Sequence, residues 1–103
     1  MYIVANRVPV AEGYQQMFEQ RFRNRAGQIE KQPGFVRMQV LKPDKPGLPY
    51  IVLTSWQDKA SFEGWVGSDD FKTAHANPMP KEAFDGEGAI EMHQVIISTE
   101  SGD

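Results

Sequence analysis

The sequence predicts an α+β domain: one antiparallel sheet of four strands with helices on a single face. Three observations carry that reading. Four stretches rich in β-branched and aromatic residues, Tyr2–Val10, Phe35–Leu41, Tyr50–Trp56 and Glu91–Ser98, read as strands. Stretches with helical spacing separate the first strand from the second and the third from the fourth. Lys42–Pro49, rich in Pro, Gly and charge, is all that joins the middle two, so they form a hairpin. The order is β-α-β-β-α-β, the ferredoxin-like arrangement.

Tyr2–Val10 ends at Pro9, which blunts a strand. Tyr2, Val4, Asn6, Val8 and Val10 share one face, and Ile3, Ala5, Arg7 and Pro9 the other. Asn6 is the anomaly, an amide among valines. Buried without a partner it costs roughly 1–3 kcal/mol. It either bonds a neighbouring backbone group, lies at the sheet's end, or serves as a donor aimed into a cavity. Ala11–Gln32 is expected as the longest helix. Tyr14, Met17, Phe18, Arg21, Phe22, Arg25 and Ile29 follow its spacing, with arginine stems flanking an apolar stripe. Pro33-Gly34 then turns the chain. The third strand is apolar on both faces near its start, which asks for cover on both sides.

Ser55–Pro80 holds both tryptophans and one of the two histidines. It reads as two short helices in tandem. Asp58 caps the first, Asp58–Val66, on which Phe62, Trp65 and Val66 share a face. Gly67 breaks it, and Ser68 caps a second carrying Phe71, Ala74 and His75 on one face. Pro78 and Pro80 cannot continue it. Trp65 and His75 are thus expected on the inward faces of neighbouring helices, with space between them for a flat apolar ligand. Ala76–Ala89 shows no periodicity and reads as a long loop, lid or binding loop. Thr99–Asp103 is a polar tail expected to fray, so a single domain spans 1–98.

The helices cover one sheet face only, yet three strands are apolar on both. An identical subunit is the simplest cover, giving a two-fold dimer that keeps a pocket in each subunit between sheet and helices.

Composition narrows the chemistry. A net charge of −3 over 103 residues provides no field for nucleic acid. The basic residues of Arg21–Arg25 are offset by Glu19 and Glu30 and read as a solvated face. The absence of cysteine excludes disulfides, thiolate metal sites and a cysteine nucleophile. No leader and no membrane-length apolar run is visible, so a cytoplasmic protein is expected. Asp69-Asp70 and Glu87/Glu91 are paired carboxylates in sequence only, explained by capping and solvation. His75 and His93 lack the spacing of a short helical metal site. His93 lies in the last strand and reads as structural. His75, in the last turn of a helix, either meets unpaired carbonyls or ligates an iron porphyrin, for which Trp65 and Phe71 provide aromatic surroundings.

The chain resembles the IsdG-type heme-degrading monooxygenases, a branch of the antibiotic biosynthesis monooxygenase superfamily. The likeness is carried by A-N-R-V-P-V with Asn6, by P-G-F-V-R-M-Q-V, and by T-S-W-Q-D-K-A-S-F-E-G-W-V-G-S-D-D-F-K-T-A-H with Trp65 and His75. The resemblance implies a dimeric α/β barrel in which heme is both substrate and cofactor. It also implies O2, an external reductant or reductase, iron release and a bilin-type product. His75 matches the axial ligand of the heme iron. Asn6 matches the distal amide that hydrogen-bonds iron-bound oxygen. Trp65 matches the bulky residue that ruffles the porphyrin. The segment 77–89 departs from the family and lends no binding residue. Two other readings share this pocket: a cofactor-free monooxygenase of quinol-like aromatics, and a heme-binding carrier without chemistry. Fold alone does not separate them.

Overall fold

The computed structural model describes every residue except Ala26 and Asp103. Its elements are β1 (Tyr2–Val8), α1 (Gln15–Arg23), β2 (Phe35–Leu41), β3 (Tyr50–Trp56), α2 (Lys59–Val66), α3 (Asp69–Ala74) and β4 (Ala89–Gln94), with short 3₁₀ turns at Ile29–Lys31 and Lys81–Ala83. The strands form one antiparallel sheet in the order β2-β3-β1-β4. This is the expected α+β, ferredoxin-like order with its second helix divided.

Register decides which side chains meet the helices. Tyr2, Val4, Asn6 and Val8 stand opposite Trp56, Thr54, Val52 and Tyr50 of β3. On the other side Tyr2, Val4 and Asn6 stand opposite Gln94, Met92 and Ile90 of β4. Opposed residues share a face, and Tyr2, Val4, Tyr50 and Trp56 are buried, so this is the face under the helices. The opposite face carries Ile3, Ala5, Ile51 and Leu53, which remain partly open in the single chain.

The core divides into two groups. One packs Tyr2, Val4, Ile29, Trp56 and Trp65, with Phe35, Phe62 and Phe71 against them. The other packs Phe18, Tyr50, Met79 and Ala83, with Val8, Val10, Phe22 and Val52 among its flanks. Asn6 belongs to neither and lies between Val4 of the first and Val8 of the second.

Four expectations change. β1 stops at Val8, and Val10 forms only an isolated bridge to Phe84. The helix expected over Ala11–Gln32 is confined to Gln15–Arg23; Ala26 lies outside the described residues. Asn24 closes it, and Gly27 then takes φ +75, a left-handed conformation that L side chains avoid. The apolar spacing is therefore shared between two elements: Phe18 serves one core group and Ile29, from the 3₁₀ turn, the other. The strand expected at Glu91–Ser98 runs instead from Ala89 to Gln94. A Cβ at Gly88 would stand 2.9 Å from the Arg7 carbonyl oxygen, so glycine lets the chain close on β1 there. β4 ends where β1 runs out: Val95 N–H donates to the Met1 carbonyl at 2.9 Å, and among the described residues no partner strand lies beyond. The long loop is also not a free lid. Met79 and Ala83 are buried, Ala11 N–H donates to Ala83 O at 2.7 Å, and Asp85 N–H donates to Pro9 O at 2.8 Å.

Candidate functional site

The tandem helices are set by their caps. The Asp58 carboxylate accepts from Ser61 N–H at 2.8 Å and from the Ser61 hydroxyl at 2.7 Å. Those bonds, the hydroxyl first, hold its pKa below the usual carboxylate value. Ser68 joins the two helices. Its hydroxyl donates to Trp65 O at 2.7 Å and accepts from Phe71 N–H at 3.1 Å. One side chain thereby fixes Trp65, at the end of α2, relative to Phe71, in α3.

His75 closes α3. Its backbone N–H donates to Phe71 O at 3.1 Å. Its ring Nδ1 also lies 2.8 Å from the Phe71 carbonyl oxygen. A carbonyl only accepts, so Nδ1 carries the proton of that bond. The neutral ring is then left with an unprotonated Nε2, and the residue is exposed. Both roles read for this histidine are compatible: it binds a helix-end carbonyl through one nitrogen and offers the other. A hydrogen bond from the other ring nitrogen to a carbonyl is what orients a ligating imidazole.

The aromatic surroundings are real but arranged differently from the expectation. The Trp65 and Phe71 rings meet edge-on with centroids 5.5 Å apart. Phe71 and His75 lie 4.1 Å apart at 32°. Phe71 thus fills the place between Trp65 and His75 where a flat ligand was expected. On the imidazole, Nε2 is the nitrogen not engaged with the Phe71 carbonyl. Trp65 itself is buried and packs with Tyr2, Val4, Ile29 and Trp56.

Asn6 comes from the sheet. It is half-buried on the face under the helices, flanked by Val52 and Ile90 on the neighbouring strands. Among the described residues its side-chain amide makes no hydrogen bond. The first of the sequence readings, a bond to neighbouring backbone, is therefore not realised. The link to the helices runs through Val4, two residues along the same face, which packs with Trp65. His93 stands opposite Ile3, on the sheet's other face, away from this region.

Near the end of α1 a hollow of about 350 Å³ opens beside Phe22, Arg25, Phe35 and Met38. There Arg25 pairs with Glu30 at 2.6 Å. The Glu30 carboxyl is held low, first by its own backbone N–H and then by Arg25.

Sequence reasoning left Ile90 outside the last strand and gave Met92, inside it, no role. Both stand on the face under the helices, yet they are 60% and 52% exposed. The signal was the alternation A-I-E-M-H-Q, hidden by a strand boundary placed too late.

The profile of the antibiotic biosynthesis monooxygenase family matches residues 1–77. A staphylobilin-producing heme oxygenase of Staphylococcus haemolyticus is 37% identical over 79 residues, 75% of this chain and 75% of its own. A mycobilin-producing heme oxygenase of Mycobacterium tuberculosis is 31% identical over 91 residues, 88% of this chain and 86% of its own. The solved structure of the heme-degrader MhuD from Mycobacterium tuberculosis, with two hemes bound in its active site, superposes with TM-score 0.80 at 27% identity. That superposition covers 97% of this chain and 100% of the other.

Proposed function

The chain belongs to the antibiotic biosynthesis monooxygenase family, and we propose that within it the protein is a heme-degrading monooxygenase. One observation carries the reading: His75 commits Nδ1 to the Phe71 carbonyl and leaves Nε2 free. The free amide of Asn6 and the aromatic run Trp65–Phe71–His75 support it. So does the activity named for relatives above 30% identity.

As substrate, heme would supply both the iron that activates O2 and the ring that is oxidised. The chain's part is to bind, orient and screen. His75 Nε2 would hold the heme iron, and the Phe71 carbonyl keeps the imidazole from turning. The tilted contact with Phe71, 4.1 Å between ring centroids, packs one side of the imidazole. The Asn6 amide would supply a hydrogen-bond donor where negative charge develops on oxygen, as a preorganised dipole does. Trp65, buried with Tyr2, Val4, Ile29 and Trp56, would be the bulky side chain that bears on the porphyrin. Electrons come from an external reductant or reductase. The sheet face of Ile3, Ala5, Ile51 and Leu53 packs on a second copy, and iron and a bilin-type pigment are the products.

The test is a hemin titration followed by turnover. A Soret shift saturating at one heme per subunit, then bleached in air by ascorbate with release of a bilin, is expected. A protein that stays colourless in excess hemin would overturn the proposal. A Soret band that survives ascorbate and air would reduce it to a carrier.

A further inference from the structure

Ile90 and Met92 break the usual rule for an edge strand. β4 is paired on one side only. Natural edges are protected by charge, and here the charge lies on one face: Glu91 pairs with Arg7 at 2.7 Å and His93 follows it. The other face presents Ile90 and Met92, apolar and more than half exposed, to the side that the helices occupy. No element of the described chain covers them. The face proposed for a second subunit is the opposite one, so subunit pairing there leaves them open.

Their position in register ties them to the candidate site. Ile90 stands directly opposite Asn6, and Met92 opposite Val4, the residue that packs with Trp65. Directly opposed residues have Cβ atoms about 5 Å apart, so an apolar shelf adjoins the Asn6 amide. An apolar surface beside an unpaired amide suits a ligand that is flat, apolar at one edge and in need of one directed hydrogen bond.

We infer that Ile90 and Met92 form the wall on which one edge of the porphyrin rests, and that their shape fixes the in-plane rotation of the ring relative to Asn6. This rests on the heme reading above. The wall therefore selects which bridging carbon is presented for oxidation by O2, the external reductant supplying the electrons that activate it. Ile90 and Met92 are positioning residues, with consequences for affinity and for the isomer produced.

The experiment uses the full chain and hemin. Ile90→Ala and Met92→Ala are each expected to weaken hemin binding, and the double variant by about tenfold or more, as loss of several buried methylenes implies. In the ferric cyanide complex, the hyperfine-shifted heme methyl resonances should move, reporting a rotated ring. The ratio of bilin isomers, resolved by chromatography and mass spectrometry, should change with them. Ile90→Leu conserves volume and should keep the affinity while altering the methyl pattern. It also serves as the reading should the double variant melt early.

An unmodified protein that binds hemin, beside variants with the same affinity, methyl pattern and isomer ratio, would overturn this inference and leave the heme reading intact. Hemin refused by the unmodified protein would overturn both.

Discussion

At the scale of single residues, the informative atoms are two nitrogens. His75 Nδ1 is held by Phe71 O at 2.8 Å, and this bond decides the tautomer. His75→Ala should abolish the absorption and electron paramagnetic resonance signature of histidine-ligated ferric heme, even if hemin still partitions into the apolar site. An unchanged signature would remove the ligand role. The amide nitrogen of Asn6 has no partner among the described residues, although it stands among Val4, Val8 and Val52. Its replacement by alanine should therefore cost no folding stability. Asn6→Ala is expected to bind hemin normally and to slow ring opening by about tenfold or more, on the scale of other lost preorganised donors. Single-turnover bleaching of the Soret band measures this. Both side chains were visible in the sequence as oddities, an amide in a valine strand and a lone histidine before two prolines. Their hydrogen-bonding was not, because it depends on where a carbonyl one turn earlier points.

At the scale of elements, caps and breakers were legible because they act through neighbours in sequence. Asp58, Gly67 and Ser68 sit where a short helix must start or stop, and the bonds they make are local. Ser68 does more, since its hydroxyl bridges Trp65 O and Phe71 N. Ser68→Ala should cost about 1 kcal/mol, as loss of an N-cap does, measured by urea unfolding. It should also loosen hemin binding by letting α3 shift against α2. The elements misjudged were those whose limits are set from a distance. α1 ends near Asn24 and the chain resumes helical turns only at Ile29, yet an apolar residue recurs at the right interval on both sides of the break. β4 starts and stops where β1 can pair with it. No local pattern in E-M-H-Q-V-I-I-S reveals that the partner strand is exhausted at Tyr2.

At the scale of the whole molecule, α1 is fastened to the hairpin by a polar clasp. Tyr50, buried at 3% exposure, donates its hydroxyl to Glu19, which also meets Lys42 at 3.1 Å and Arg23 at 3.5 Å. The Tyr50 bond first, then Lys42, holds the Glu19 pKa below its ordinary value. Burial, then Glu19, pushes Tyr50 from 10.0 up to about 12. A lowered carboxylate stabilises the fold above the ordinary carboxylate range and loses that effect as pH falls through its folded value. A raised phenol stabilises below 10.0 and loses the effect as pH rises towards about 12. Thermal melts should therefore show stability falling at both ends. Tyr50→Phe should melt lower at neutral pH, with a shallower acid slope and no alkaline loss from this group.

The second prediction at this scale concerns the open sheet face. If Ile3, Ala5, Ile51 and Leu53 meet a second copy, Leu53→Glu should convert a dimer to a monomer in analytical ultracentrifugation, without unfolding it. An unmodified protein that sediments as a monomer would reject the dimer. Ile96 and Ile97, 88% and 80% exposed just beyond β4, add to the apolar surface left open by the single chain.

The sequence by itself determined the class of fold, the order of its elements and the short list of side chains with chemistry to offer. Periodicity, caps and breakers are properties of adjacent residues and need no tertiary partner to be read. The tertiary structure alone decided the rest. It packed Phe71 against both Trp65 and His75, moved the last strand so that Ile90 stands beside Asn6, and left that amide without a partner among the described residues. It also anchored Met79 and Ala83 of the supposed lid in the core. Each outcome depends on register or on packing between segments far apart in the chain, where a shift of one residue exchanges one face for the other.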